Sequence, residues 1–439
     1  MSVGAHRAPA RQRRGLPGDV AGNVVARVCA MVTLLLVSLV VARTAGATGV
    51  GVLVMLRLLP WMTGLLLGLG LYGAAPYFLS GPGRDDRRYP VTMAAMAVCS
   101  GAAGVVLWMF AAPLLQDQFF PGLSLALVSL AGATVLTQML ETTAKACSQG
   151  TGDLQGSNRI IVLEEVLFLP AYGLLLWAGA PTYVAMVLAL TSGDVLTAGQ
   201  GWIRLIRRGF FGARVRPSLM HARRVAQYGV RAQVGSIALL LNARLDFAVV
   251  GALVGPAQLG VYAIASRYAE LLRLPSLAMN YVLYPAYARQ GSAAATNVRA
   301  TLSRAAWVPV AAAVPMAIAA PVVLPLVYGE AFRDAVVPAW VLLVGLAGGG
   351  VTGVLTAFLS GSGRPGLGSA ALGSGLVVTL VLDFALIPAF GIVGAATAST
   401  LAYLTTAGVL LLCFRAVTRD RDVAVGQVDT MEPVLEVPR

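Results

Sequence analysis

Charge is the scarcest commodity in this chain. Only 12% of its 439 residues are charged while 58% are hydrophobic, against about 25% charged in an ordinary soluble domain. Histidine is almost absent: His6 and His221 both lie in basic connections, which leaves none for metal binding or proton relay at depth. The four cysteines, Cys29, Cys99, Cys147 and Cys413, stand singly inside apolar runs. That spacing excludes a zinc site or a disulfide framework. Period-two alternation is missing too, so the apolar runs are not strands of a porin-like barrel. Neither a metal nor a cofactor is expected.

What the chain has is a succession of apolar runs long enough to cross a bilayer, for which about 20 residues suffice. Their polar breaks give twelve spans, near 22–42, 49–79, 90–113, 121–147, 158–179, 181–205, 226–254, 258–288, 302–328, 337–361, 366–388 and 391–414. The expected fold is an all-α polytopic membrane protein. Residues 1–21 read as a basic cytoplasmic segment, 22–205 as a first six-helix bundle and 206–225 as a basic linker. A second bundle follows over 226–414, then a disordered cytoplasmic tail over 415–439. The basic start resembles a signal-peptide n-region, but the run behind it has full spanning length, so an uncleaved first helix is expected. Pro60, Pro76, Pro275 and Pro285 are expected kink points, and Pro309, Pro315, Pro321 and Pro325 should bend or break one span.

The net charge of +13 does not point to nucleic acid, because the basic residues concentrate in alternate connections. Twenty-four lysines and arginines fall on one side and two, Arg43 and Arg333, on the other. By the positive-inside rule both termini face the cytoplasm. The linker, with RRGFFGARVRPSLMHARR within it, is the widest inner connection and suits an amphipathic helix on anionic lipid. The outer connections are short and leave no room for the acids and histidines of a membrane glycosyltransferase or polymer ligase.

The halves repeat. GATGVG at 46–51 parallels GPAQLG at 255–260, and Pro76 parallels Pro285, both at an offset of 209. Gly150-Thr151-Gly152 parallels Gly361-Ser362-Gly363 at an offset of 211. Six spans per repeat is an even number, so the two bundles are related by an axis along the membrane normal. Transporters with parallel repeats hold substrate between the two bundles.

Charges set within the spans mark the candidate site, since each costs roughly 2.5–3.5 kcal/mol at the bilayer centre even on a lenient scale. Counting 1.5 Å per residue from the outer ends, Arg57 lies about 12 Å down, Arg244 about 15 Å and Arg267 about 13 Å, near the midplane of a 30 Å core. Three guanidinium groups from both halves at one depth suit an anionic headgroup, with Arg273 nearer the inner mouth. The competing account is internal pairing, for instance Arg267–Glu270–Arg273 along one helix. Asp246, Glu270, Asp194 and Asp383 are candidates for coupling or charge pairing. Glu141, Lys145, Arg159, Glu164 and Glu165 read as an ion-pair layer near the cytoplasmic edge. Tyr262, Tyr268, Tyr281, Tyr284 and Tyr287 suit either sugar stacking or interfacial anchoring, the latter favoured. GLAGGG at 345–350 lacks the lysine of a phosphate loop and reads as close helix packing.

The run LDFAVVGALVGPAQLGVYAIASRYAELLRLP, with QGTGDLQGSNR closing the fourth span, resembles the polysaccharide-transporter branch of the multidrug/oligosaccharidyl-lipid/polysaccharide exporter superfamily, which includes O-antigen and exopolysaccharide flippases. The resemblance implies two six-helix bundles, alternating access and a polyprenyl-diphosphate-linked oligosaccharide moved from the inner to the outer leaflet of a bacterial plasma membrane. Its implied partners are that lipid-linked glycan, membrane lipids, and a polymerase and glycosyltransferases of the same pathway. Twelve spans argue against the peptidoglycan-precursor flippases of the superfamily, which have fourteen. The alternative on the same fold is a cation-coupled efflux antiporter for organic cations, which would want a net acidic cavity.

Overall fold

The computed structural model describes residues 16–212, 215–273, 294–361 and 364–429. Fourteen α-helices can be followed among them. The first bundle holds α1 (Leu16–Leu67), α2 (Leu71–Ser80), α3 (Arg88–Phe119), α4 (Leu125–Ala131), α5 (Ala133–Gly150), α6 (Leu154–Val166), α7 (Phe168–Trp177) and α8 (Thr182–Arg207). The second holds α9 (Leu219–Leu253), α10 (Pro256–Glu270), α11 (Ala294–Tyr328), a 3₁₀ turn (Glu330–Ala335), α12 (Val336–Ala347), α13 (Gly349–Gly361) and α14 (Pro365–Asp429).

Among the described residues, eight helical stretches are long and apolar enough to cross a membrane. Two of them contain two passes each, because Gly46 (φ 65, ψ −166) divides α1 and Gly391 (φ 56, ψ −133) divides α14. Only glycine occupies such a conformation without strain. Adding α9 (35 residues) and α10 (15 described residues), both of which carry charges, gives twelve passes. The protein is a multi-pass, all-helical membrane protein of two six-pass bundles.

The repeat is visible as a physical contact. A Cβ on Gly51 would overlap the Pro256 carbonyl oxygen, and one on Gly260 would overlap the Ala47 carbonyl oxygen. Both pairs are related by the same shift of 209, so the contact is reciprocal, as a two-fold axis between the corners requires. Gly255 (φ 98, ψ 169) has nearly the extended, positive-φ geometry of Gly46. The other anchors, Pro285 and Ser362–Gly363, lie outside the described residues.

Several boundaries differ from expectation. The second pass is interrupted at 68–70, where Leu69 (φ 49) and Gly70 (φ 69) are left-handed, and restarts as α2. This break brings the Gly70 backbone against that of Gly229 in α9. The Tyr77 and Tyr228 rings stack beside it at 4.1 Å, and Gln233 donates to the Leu65 carbonyl. Helix α11 is not broken by its four prolines; each removes one N–H, and the intervening residues still form the ladder. Pro60 and Pro76 likewise lie inside helices, while Pro275 and Pro285 lie outside the described residues. Within the linker, 208–211 turn and 212 and 215–218 are irregular, while its ends belong to α8 and α9, so these described residues form no separate amphipathic helix. The tail begins as a continuation of α14 to Asp429 rather than as disorder from 415. Gly345 sits against the Thr400 backbone of α14, the close helix packing expected of that glycine run.

Candidate functional site: a chamber between the bundles

A chamber of about 510 Å³ lies between the bundles, within the usual size range of ligand pockets. Its walls come from the second half of α1, the 68–72 break, α5, α6, α8, α9 and α10.

Arg57, Arg244 and Arg267 all line it, as the depth count predicts. They do not stand alone. Arg57 Nη1 donates to Glu165 Oε2 at 2.5 Å, and its Nε and Nη2 are buried with no hydrogen-bond partner among the described residues. Arg244 Nη1 lies 3.1 Å from Glu270 Oε1 and its guanidinium faces the Phe247 ring at 5.0 Å. Arg267 donates to the Ser38 hydroxyl and, among the described residues, has no carboxylate within ion-pair distance. Glu270 therefore pairs across to α9 instead of along its own helix. Arg273 does not reach the chamber; its guanidinium lies over the Tyr403 ring at 5.3 Å.

The chamber is less cationic than the arginines alone imply. Glu141, Glu164, Glu165 and Asp194 line it too, facing Arg57, Lys145, Arg244 and Arg267, so the formal charges balance. Lys145 lies 2.8 Å from Glu164 and 3.5 Å from Glu141. Asp194, 4% exposed, receives one long hydrogen bond from Gln138 at 3.4 Å. Sequence reasoning placed the Glu141–Glu165 group near the cytoplasmic edge because it ended the helices where the apolar runs end. In fact α5 continues to Gly150 and α6 begins at Leu154, which puts Glu141 and Glu164 about 13–15 Å from those ends. Arg159 is exposed and outside the chamber.

Asp246 and Asp383 form a separate polar island within the second bundle, away from the chamber. Asp246 accepts from the Tyr262 hydroxyl (2.6 Å), the Ser399 hydroxyl (3.1 Å) and the Phe247 N–H (2.9 Å). Asp383 is fully buried and neither carboxylate oxygen has a hydrogen-bond partner among the described residues. Asn242 and Thr379, bonded at 3.0 Å, lie on the same two helices, α9 and α14. Tyr262 thus serves Asp246, and Tyr268 donates to the Met316 carbonyl; neither lines the chamber. Tyr281, Tyr284 and Tyr287 lie outside the described residues. The aromatic side chains that line the chamber are Trp61, Tyr72 and Phe247.

At the arginine-rich end, Asp153 caps α6 through the Gly156 N–H (3.1 Å) and binds Arg204 through both oxygens (2.7 and 3.0 Å). Burial raises its pKa, but these bonds and the charges of Arg204 and Arg208 outweigh it and hold the carboxyl below its ordinary 3.8. This is the physical content of the GDLQG sequence: Gly156 leaves room for Asp153 and Arg204.

A model of the family described as "Polysaccharide biosynthesis protein" matches residues 84–337, more than half of the chain. The chain belongs to that family. A curated relative, the probable low-salt glycan biosynthesis flippase Agl15 of Haloferax volcanii, is 25% identical over 240 residues. The match covers 53% of this chain and 49% of the relative, so it spans about half the relative's length. Among solved structures, the lipid II flippase MurJ in an inward closed conformation is similar with a TM-score of 0.76 at 12% identity, over 91% of this chain and 87% of that one. An inward-facing multidrug resistance MATE family transporter of the MOP superfamily gives 0.71 at 15% identity, over 93% and 96%. A MOP superfamily transporter from Pyrococcus furiosus, titled for the reverse polarity of its binding pocket, gives 0.61 at 14%, over 91% and 95%. At these identities the structures establish the fold alone.

Proposed function

We propose that this polysaccharide biosynthesis protein is a flippase, carrying a polyprenyl-diphosphate-linked oligosaccharide from the cytoplasmic to the outer leaflet by alternating access. The observation that carries this reading is Arg267, a guanidinium at mid-depth in the chamber with no carboxylate partner among the described residues. Arg57 adds two unpartnered donors beside it, and Arg244 is the third cation. Guanidinium forks match phosphate oxygens, and placing an unpaired one in a membrane protein is costly unless a ligand or water meets it. The arginine-rich end is the cytoplasmic side on this reading, both termini lie there, and the membrane is a bacterial plasma membrane. The Gly51–Gly260 contact closes the outer end, and the Gly70–Gly229 approach narrows the inner one.

Asp246 and Asp383 are the coupling groups of this proposal. A fully buried carboxylate with no hydrogen-bond donor is unfavourable as an anion, so a proton or small cation would occupy that island during part of the cycle. The polymerase and glycosyltransferases that make and consume the glycan are the expected partners.

Charge reversal tests the reading. Arg244→Glu and Arg267→Glu should each abolish surface glycan export while the protein remains in the membrane; normal export by both variants refutes it. One observation favours the second reading, efflux of organic cations: the four chamber carboxylates. Overexpression that raises drug resistance, with no glycan defect on deletion, would decide for it.

A further inference from the structure

The two walls of the chamber differ in sign. Every lining carboxylate, Glu141, Glu164, Glu165 and Asp194, comes from the first bundle, against Arg57 and Lys145 on the same side. The second bundle contributes Arg244 and Arg267 and no lining carboxylate. Lys145 is shared between Glu141 and Glu164 and Arg57 is tied to Glu165, so among the described residues Asp194 has no ion pair and two glutamates share a single lysine. Glu164 is the most open of them, its side chain 42% exposed. A headgroup spanning the chamber meets cations at one end and acceptor carboxylates at the other.

We propose that this polarity selects for the sugars, and that the chamber takes diphosphate-linked glycans whose inner sugars are neutral or amine-bearing and excludes those carrying a carboxylate. The inference rests on the flippase reading and adds the charge class of the cargo. Carboxylates accept hydrogen bonds from sugar hydroxyls and from protonated or acylated amines, and such charge-assisted bonds are strong. A uronic acid placed against the same wall meets like charge in a medium where two unit charges about 4 Å apart interact by several kcal/mol.

The experiment uses the full-length protein in lipid nanodiscs and three probes: farnesyl diphosphate, the same lipid bearing one N-acetylhexosamine, and the same lipid bearing one hexuronic acid. The neutral-sugar probe should bind at least about tenfold more tightly than the uronate probe, a difference a single like-charge contact supports. In the Glu164→Gln/Asp194→Asn variant that difference should disappear, while the bare diphosphate, relieved of two like charges in the chamber, should bind at least as tightly as to wild type. Glu164→Gln alone, at the more exposed site, should narrow it and guards against a double variant that does not fold. Equal or tighter binding of the uronate by wild type, or unchanged discrimination in folded variants, overturns the proposal. If the bare diphosphate binds and Arg267→Gln removes that binding, such a result leaves the flippase reading standing. If no diphosphate probe binds at all, both are wrong.

Discussion

Arg267→Gln is the most informative single change in this molecule. The side chain donates to Ser38 and has no carboxylate within reach among the described residues, while Arg57 and Arg244 are near enough to act on it electrostatically. Three cations of which only two are ion-paired, Arg57 with Glu165 and Arg244 with Glu270, repel one another in the empty protein. Removing the unpaired one relieves that repulsion and leaves no orphaned carboxylate, so Arg267→Gln should fold as well as wild type or better. A diphosphate loses one charge-assisted contact, worth about 1.5–3 kcal/mol, which is roughly a 10- to 150-fold weaker Kd. The neighbouring change has the opposite signature. Arg57→Gln strands Glu165, and breaking a buried pair from one side costs about 3–5 kcal/mol of stability. Thermal unfolding in detergent and farnesyl diphosphate titration on the same samples separate the two. An Arg267→Gln protein that unfolds earlier, or binds the diphosphate within about twofold of wild type, refutes the assignment of Arg267 to the ligand.

Other expectations follow from the same geometry. Gly51→Ala and Gly260→Ala should each push the two corners apart, because the added methyl meets carbonyl backbone; overpacking of this kind costs about 1–3 kcal/mol. Cysteine accessibility at the outer end should rise and transport should fall, and unchanged labelling would tell against the corner as a closing contact. Asp383→Asn should abolish ion-driven accumulation of cargo without loss of stability, since the native carboxylate has no partner to lose; retained gradient dependence would remove Asp383 from coupling. Asp153→Asn should cost about 1–3 kcal/mol, because asparagine keeps the cap to Gly156 but loses the charge-assisted bonds to Arg204 and Arg208. Because the folded pKa of Asp153 lies below 3.8, its stabilising contribution is complete above that value and disappears as pH falls through the folded pKa. The wild-type protein should lose more stability than the Asn variant in acid, and parallel pH–stability curves would exclude this.

The sequence made the passes and their pairing legible because a bilayer demands apolar length and a repeat leaves its corners at one offset. Gly46 and Gly255 were found from spacing alone, and the structure explains why they match: equivalent corners lie against each other across the axis. The three arginines were legible for a similar reason, since charge in an apolar run is conspicuous and depth is simple arithmetic. The acidic wall was misplaced because a helix does not end where its hydrophobicity ends. Ser148–Gly150 and Gln155–Ser157 are polar or small yet helical, and those hidden turns carry Glu141, Lys145, the chain's single lysine, and Glu164 into the chamber. Trp61 and Tyr72 were invisible on different grounds: an aromatic residue in a membrane helix is ordinary, and only the break at 68–70 makes a wall of that segment. The same break argues for where motion is cheap. A pass interrupted by Leu69 and Gly70, both at positive φ, has already lost its hydrogen-bond ladder at that point. Separating Gly70 from Gly229 during inward opening would then bend α2 away at a joint that exists, rather than unwind a continuous helix.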